Sequence, residues 1–227
     1  MLNINVAHHL MGRKLKNIEE LIRALTRRGG LLLIYGGGGT GKTTLALQLL
    51  LSALTRGWRS LYAYTGRLSS KRFKSLAQKK LENLRHLLIL IRLVDFDDQD
   101  RAVDALYRSR GEKLKVAVFD TFTGLYRSFV AETKNPLKAS KLLNQQLAML
   151  AELANSFNLN IILTSRARRL AEDLEPEASS LLEYWANTII RIEKLERLKW
   201  RRITVEKGPP HLEGWVIEAE MTGKGLR

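Results

Sequence analysis

The sequence predicts an α/β fold in which a mainly parallel sheet is flanked by helices and antiparallel strands close the C-terminal end. Apolar runs such as residues 31–35 and 115–120 are continuous, as expected of parallel strands that are buried on both faces. These runs alternate with segments of helical periodicity, which is typical of a parallel sheet covered by helices. In residues 187–222 apolar and polar positions alternate instead, which indicates antiparallel strands.

The elements can be assigned in chain order. Apolar residues recur at helical spacing up to Gly29 and Gly30, so residues 1–30 are predicted to form a helical extension. A core follows over residues 31–220, and we expect a single domain over residues 1–227. The predicted strands are 31–35, 59–65, 87–94, 115–120 and 159–165; one predicted helix ends near residue 56, and the others are 70–84, 97–110 and 135–157.

The composition excludes several classes of protein. Of the 227 residues 45% are hydrophobic, which is enough for a sizeable core and argues against disorder. The sequence has no cysteine and only four scattered histidines, so disulfides and thiolate metal sites are excluded and a zinc cage is not expected. Neither a membrane-length apolar run nor the apolar core of a signal peptide is present. We therefore expect a cytoplasmic protein without a membrane partner.

The charge favours a polyanionic partner. The chain has 38 Lys and Arg against 23 Asp and Glu, a net charge of +15. Residues 56–92 contain ten basic side chains and one acid, Glu82, for a net +9, whereas residues 171–183 contain five acids and no base. A charged surface that only keeps the protein soluble is the alternative explanation.

Residues 36–44, GGGGTGKTT, match the pattern G-x-x-x-x-G-K-[ST] and lie between a predicted strand and a predicted helix. Glycines at these positions let backbone N–H groups turn towards phosphate oxygens, and the helix N-terminus adds partial positive charge. We expect Lys42 to hold the β- and γ-phosphates and the Thr43 hydroxyl to bind Mg²⁺. The predicted nucleotide-binding residues of this P-loop are Gly36, Gly37, Gly38, Gly39, Thr40, Gly41, Lys42, Thr43 and Thr44.

An acidic residue that holds the metal through water is expected at the end of a neighbouring apolar strand. Asp120 ends the run KVAVFD and fits this role, which makes Mg²⁺ and ATP the expected ligands. An ordinary turn aspartate is the alternative. A second acidic group, Asp95, Asp97, Asp98 and Asp100, opens a predicted helix, where acids more often stabilise the helix dipole than bind a metal.

Several stretches together resemble the RecA-like recombinases, and among them the small archaeal paralogs of the RadB type. These stretches are VAVFDTFTGLYRS (116–128), the helix and strand of residues 143–165, the segments 183–196 and 201–214, and DFDDQ (95–99). The resemblance implies a RecA-like P-loop core, ATP-linked binding of DNA with a preference for single strands, and a RadA-type recombinase as partner. It also places two DNA-facing loops, one after Arg127 and one after Ser165. The implied DNA-binding residues are Arg127, Lys134, Lys138, Arg166, Arg168 and Arg169. Tyr126 and Phe129 are either stacking surfaces for bases or parts of the core.

The sequence departs from this family in ways that bear on hydrolysis and assembly. Family members that hydrolyse ATP have a glutamate after the position of Thr65, whereas in this chain Gly66 follows Thr65 directly. They also have a glutamine at the position of Arg166. Loss of a positioned general base lowers the rate by ~10²–10⁴. We therefore expect weak or absent hydrolysis. The family's Phe-x-x-Ala docking segment precedes the core, but the first phenylalanine here is Phe73, and we expect no separate N-terminal domain. Self-association remains possible, with Lys207 near a neighbour's nucleotide, but an autonomous filament is not expected.

Two other functions stay open. The first is an active DNA-stimulated ATPase in which Asp95 or Glu82 replaces the missing glutamate. The second is a regulator of the clock-protein type that does not bind DNA. The basic helix of residues 70–84 either extends the DNA path or is a solvated helix face.

Overall fold

The structure is a computed structural model that describes residues 17–27, 29–66, 75–76, 78–170 and 173–227. The side chains of residues 78–82, 169, 170 and 173 lie outside this description. So do most of the predicted N-terminal extension and a large part of the predicted basic helix, including Lys71, Arg72 and Lys74.

The described residues form one ten-stranded sheet with the order β10-β9-β8-β7-β1-β5-β4-β2-β3, and β6 pairs with the extension of β5. Strands β3, β2, β4, β5, β1 and β7 are parallel to their neighbours, whereas β7, β8, β9 and β10 pair antiparallel. This arrangement confirms the predicted fold class. The strands are β1 Gly30–Gly36, β2 Ser60–Thr65, β3 Leu88–Leu93, β4 Val116–Asp120, β5 Asn160–Leu170, β6 Asp173–Pro176, β7 Thr188–Lys194, β8 Trp200–Lys207, β9 Val216–Thr222 and β10 Gly225–Leu226.

Helices cover both faces of the sheet. They are α1 Ile18–Leu25, α2 Lys42–Thr55, α3 Phe96–Arg108, α4 Phe122–Thr133, α5 Pro136–Ser156 and α6 Ser179–Trp185, with a 3₁₀ helix over Gln78–Leu87. The alternation along β1 shows how the two faces separate, because Leu32 and Ile34 join the cluster of α1 and α2 while Leu31 and Leu33 join that of α3, α5 and α6. Within the described residues, no helix combines the length and the apolar character needed to cross a bilayer.

Helix α4 was not predicted, and the expected loop after Arg127 is wrong. Phe122 starts the helix directly after β4 and is buried edge-on against Phe119, with ring centroids 5.8 Å apart. Phe129 stacks on Phe96 at 4.9 Å, so both ends of the helix are anchored in the core. Tertiary packing therefore outweighs the weak helix propensity of a segment rich in Thr, Phe and Gly. Only Lys134 and Asn135 connect α4 to α5.

The second expected loop is also replaced by regular structure. Strand β5 continues past Ser165 to Leu170, and its extension pairs with β6 from Ala167 opposite Pro176 to Leu170 opposite Asp173. Arg166, Arg168 and Arg169 thus lie on the first strand of a β5–β6 hairpin. The acids of residues 173–177 lie on or beside the second strand.

Candidate nucleotide site

The P-loop begins where β1 ends. Two of its positions must be glycine because atoms of other strands lie too close to leave room for a Cβ. Gly36 has φ +155°, and a Cβ atom there would lie 2.2 Å from the Ile192 carbonyl oxygen on β7. Gly41 has φ +115°, and its Cβ would lie 2.5 Å from the Met221 Cε on β9. A larger residue at either position would displace the loop from the sheet.

Lys42 begins α2 and folds back over the loop. Its ammonium donates hydrogen bonds to the carbonyl oxygens of Gly36 (2.8 Å) and Gly37 (2.7 Å), and the residue is only 8% exposed. Burial lowers the pKa of Lys42, while the charge of Asp120 raises it and so opposes the loss of the proton. The loop therefore presents a single desolvated cation at the end of β1.

Asp120 is fixed at the end of β4, two strands away from β1 in the sheet. One carboxylate oxygen accepts a hydrogen bond from the Tyr62 hydroxyl (2.8 Å) and the other accepts one from the Thr164 hydroxyl (2.5 Å). The residue is 7% exposed. Burial and the neighbouring Asp120 raise the pKa of Tyr62, so the phenol stays a donor. Neighbouring strands thus orient the carboxylate before any metal arrives.

The residues present fit Mg²⁺ and a nucleoside triphosphate. The Thr44 hydroxyl is buried and, among the described residues, has no hydrogen-bond partner. A Cβ on Gly38 would meet nothing within 4 Å, so the loop is open on that side. In the described part of the chain no three His, Asp or Glu side chains gather into a metal cage. A magnesium ion held by one hydroxyl, phosphates and water does not need such a cage, and Thr43 and Asp120 are of the type that would hold it.

The end of β2, where the family glutamate would stand, has no carboxylate. The Thr65 hydroxyl lies 3.3 Å from the Thr121 hydroxyl and accepts a hydrogen bond from the Thr121 backbone N–H at 3.3 Å. Gly66 follows with φ +72°, and residues 67–74 lie outside the described chain. Asp95, one proposed substitute, caps α3 by accepting a hydrogen bond from the Asp98 N–H (2.7 Å), as the dipole explanation predicts. The side chain of Glu82, the other substitute, is not described.

A different carboxylate, Glu177, lies near the P-loop and was missed by sequence reasoning. Its charge acts on Lys42, and its oxygens accept hydrogen bonds from the Thr123 hydroxyl (3.1 Å) and the Arg127 guanidinium (3.2 Å). Only 15% of its side chain is exposed. No spacing pattern links residue 177 to the loop, because the hairpin that returns it to the site is a tertiary feature.

The structure brings together only some of the predicted DNA-binding residues. The Glu177 N–H donates to the Arg166 carbonyl oxygen (2.9 Å), so the pair of Arg127 with Glu177 joins α4 to the β5–β6 hairpin. Arg168 forms an ion pair with Glu175 at 3.6 Å, and the side chain of Arg169 is not described. Lys134 caps the other end of α4, about 10 Å from Arg127 along the helix axis, and Lys138 lies in the first turn of α5.

Other expectations about side chains resolve in favour of packing. Tyr126 packs against the core with its hydroxyl 3.1 Å from that of Ser140, and Phe129 stacks on Phe96, so neither ring is a free surface for bases. The Lys207 ammonium donates to the Glu183 carbonyl oxygen within the same chain (2.8 Å).

Two cations that the sequence did not single out lie beside the P-loop. The Arg201 guanidinium donates to the carbonyl oxygens of Thr40 (2.9 Å) and Gly39 (3.4 Å). The Lys194 ammonium lies 3.5 Å from the position that a Cβ on Gly39 would take. Both residues come from the β7–β8 hairpin, more than 150 residues after the loop.

A strand, a glycine-rich loop and a helix with Lys42, together with Asp120 on a parallel strand, define a P-loop nucleotide-binding protein of the RecA-like class. Residues 4–172 match the family model described as AAA domain. The chain is 30% identical over 211 residues to the DNA repair and recombination protein RadB of Methanococcus maripaludis strain C7, covering 92% of this chain and 96% of the relative. Over 216 residues it is 30% identical to the protein of the same name from Thermococcus sibiricus, covering 93% and 92%.

A solved structure agrees with these sequence matches. The crystal structure of the RadB recombinase superposes with a TM-score of 0.72 at 28% identity, covering 88% of this chain and 90% of that chain. The chain therefore belongs to the RadB family of DNA repair and recombination proteins, and the predicted resemblance is confirmed.

Proposed function

We propose that this protein binds Mg²⁺ and ATP in its P-loop, binds DNA with a preference for single strands, and assists a RadA-type recombinase in recombination and repair. ATP hydrolysis is weak or absent. One observation supports the proposal most directly: Lys42 and Asp120 are both buried and oriented at the loop, while β2 ends at Thr65 without a carboxylate.

Binding and hydrolysis separate because they depend on different groups. The phosphate contacts come from the loop backbone, Lys42 and the metal, and this chain contains the residues that supply them. Hydrolysis also requires a positioned water, and Thr65 cannot act as a general base for it. The expected loss of rate is ~10²–10⁴, with no matching loss of affinity.

DNA binding is supported by charge and by position. The net charge of +15 favours a polyanion, and Arg166 is exposed at the same end of the sheet as the P-loop. The ion pair of Arg127 with Glu177 connects this end of β5 to α4. A nucleotide at the P-loop and a DNA strand at Arg166 would therefore bind at neighbouring sites.

Titration of labelled single- and double-stranded DNA, with and without ATP and across a salt series, tests the proposal. We expect tighter binding to single strands and an affinity that falls with salt, with a slope of about 0.7 per phosphate neutralised. Phosphate release should be very slow and should change little with DNA. An absence of DNA binding at moderate salt would instead favour a regulator that acts on proteins.

The second candidate function, an active ATPase, is favoured by the position of Glu177, whose N–H donates to the carbonyl oxygen of Arg166, the β5 partner of Gly36. Both of its oxygens already accept hydrogen bonds, which reduces its ability to activate water. Phosphate release should therefore be equally slow in the wild type and in Glu177→Gln. DNA-stimulated turnover that Glu177→Gln abolishes would establish the ATPase in place of the accessory function.

A further inference from the structure

The β7–β8 hairpin lies beside the P-loop because of strand order. Strand β7 pairs in parallel with β1, and Ile192 is the partner of Gly36 in the register. The hairpin that follows β7 therefore leaves the sheet at the same edge as the loop that follows β1. This topology brings residues 194–201 next to a loop that precedes them by more than 150 positions.

Arg201 hydrogen-bonds to the P-loop backbone from the neighbouring β7–β8 hairpin. Its Nε donates to the Thr40 carbonyl oxygen at 2.9 Å and its Nη1 donates to the Trp200 carbonyl oxygen at 2.8 Å. A third bond reaches the Gly39 carbonyl oxygen at 3.4 Å. These acceptors are all neutral carbonyls, so the positive charge of Arg201 adds to the field at the loop instead of being cancelled.

Lys194 is the last residue of β7 and its ammonium stands against Gly39. The ammonium nitrogen lies 3.5 Å from the position that a Cβ on that glycine would take, so the lysine head group stands beside the open side of the loop. Burial is the main cause that lowers the pKa of Lys42, and the charge of Lys194 lowers it further. The side chain itself is exposed, so it is free to reach a ligand.

The ion pairs of the hairpin distinguish these cations from their neighbours. Arg191 lies 2.9 Å from Glu206, and Arg202 lies 3.2 Å from Glu218. In contrast, no carboxylate among the described residues forms an ion pair with Lys194, Arg201 or Lys42. Arg191 and Arg202 thus have a carboxylate partner, whereas Lys194 and Arg201, which lie beside the P-loop, have none among the described residues.

We propose that Lys194 is a phosphate ligand of the nucleotide, supplied by the same chain that supplies the P-loop. The proposal rests on the proposed function that the loop binds ATP. A nucleoside triphosphate is an anion of the kind that Lys42, Lys194 and one Mg²⁺ would neutralise. The nucleotide site is then complete within a single chain and does not depend on self-association.

The first experiment removes the charge of Lys194 with Lys194→Gln and uses Lys199→Gln as the matched control. Both lysines are exposed on the same hairpin, and Lys199 lies in the turn. Titration with a fluorescent ATP analogue should show an affinity about tenfold lower for Lys194→Gln and unchanged for the control. The affinity should also depend less on salt in Lys194→Gln, while thermal melting of both variants stays that of the wild type.

Equal affinity of Lys194→Gln and the wild type would overturn the inference and leave the proposed function intact. An equal loss in Lys199→Gln would overturn it as well, because the effect would then come from overall charge. If the wild type does not bind the analogue, both the inference and the proposed function fail.

A mixing experiment tests whether the lysine acts within its own chain. Lys42→Ala retains Lys194 but should not bind nucleotide, so it can only donate Lys194 to a neighbour. Adding it in excess to Lys194→Gln should leave the low affinity of Lys194→Gln unchanged. Recovery of wild-type affinity in the mixture would show that Lys194 acts between chains and would overturn the single-chain site.

Discussion

The P-loop region and the β5–β6 hairpin both carry basic side chains, yet they differ in how these cations are neutralised. At the loop, Lys42 donates to backbone carbonyls and Lys194 stands beside Gly39, and no described carboxylate forms an ion pair with either. At the hairpin, Arg168 pairs with Glu175, and Glu177 pairs with Arg127 of α4. A count of basic residues treats the two regions alike, whereas only the first presents its full charge to a polyanion.

The two regions differ only in degree in the charge that they present to a polyanion, because exposed ion pairs are weak. Arg168 and Glu175 keep 52% and 32% of their side chains exposed, and a pair of this kind contributes about 0–1 kcal/mol. A DNA phosphate can therefore displace Glu175 at a modest cost, whereas Glu177, with only 15% of its side chain exposed, is held more firmly. We infer that the hairpin binds DNA more weakly than its sequence suggests, and that the P-loop binds phosphate more tightly.

The largest effect is expected from Lys42→Ala. Loss of this buried ammonium should lower nucleotide affinity at least about a hundredfold, which corresponds to ~2.7 kcal/mol. The fold should persist, because the hydrogen bonds of Lys42 reach only Gly36 and Gly37 of its own loop. A fluorescent-nucleotide titration measures the loss, with Lys224→Ala, which removes an exposed lysine in the β9–β10 turn, as a control. Retained binding would mean that the loop is not the nucleotide site.

A smaller effect is expected from Asp120→Asn, which keeps the shape of the side chain but removes the charge. Asparagine can still accept the hydrogen bond from Tyr62, so the end of β4 should stay in place. We expect the difference between nucleotide affinity in Mg²⁺ and in EDTA to disappear, a change of about tenfold. If the variant keeps the Mg²⁺ dependence of the wild type, Asp120 does not hold the metal.

The parts that sequence could predict are those governed by local pattern. Residues 36–44 need glycines, a lysine and a threonine at fixed spacing, and Asp120 follows a continuous apolar run, so both stand out without a structure. The parallel strands are equally clear, because burial on both faces leaves an unbroken apolar sequence.

The remaining parts depend on contacts between distant segments. The sequence of α4 contains Thr, Phe and Gly residues, and it is helical because Phe122 and Phe129 are buried by β4 and α3. Lys194 and Glu177 lie near the P-loop only because of strand order and hairpin formation. Neither kind of tertiary contact produces a sequence motif at a fixed spacing from the P-loop.

A moderate difference in DNA affinity is expected between a variant of an unpaired arginine and a variant of a paired one. Arg166 forms no ion pair with a described carboxylate, while Arg168 pairs with Glu175. Arg166→Ala should therefore lower single-strand affinity several-fold more than Arg168→Ala and reduce the salt slope by about 0.7. Fluorescence anisotropy with labelled DNA across a salt series measures both values. Equal losses would show that the pairing does not matter for DNA.

The smallest effect is expected from Glu175→Gln, which frees Arg168 without adding a basic residue. DNA affinity should rise by a few-fold at low salt, since a pair worth about 0–1 kcal/mol no longer has to be broken. Glu218→Gln is the matched control, because it frees Arg202 from a similar ion pair of 3.2 Å on the other side of the sheet. If both variants raise the affinity equally, the gain comes from net charge alone. A gain confined to Glu175→Gln would show that the acidic strand of the hairpin limits DNA binding locally.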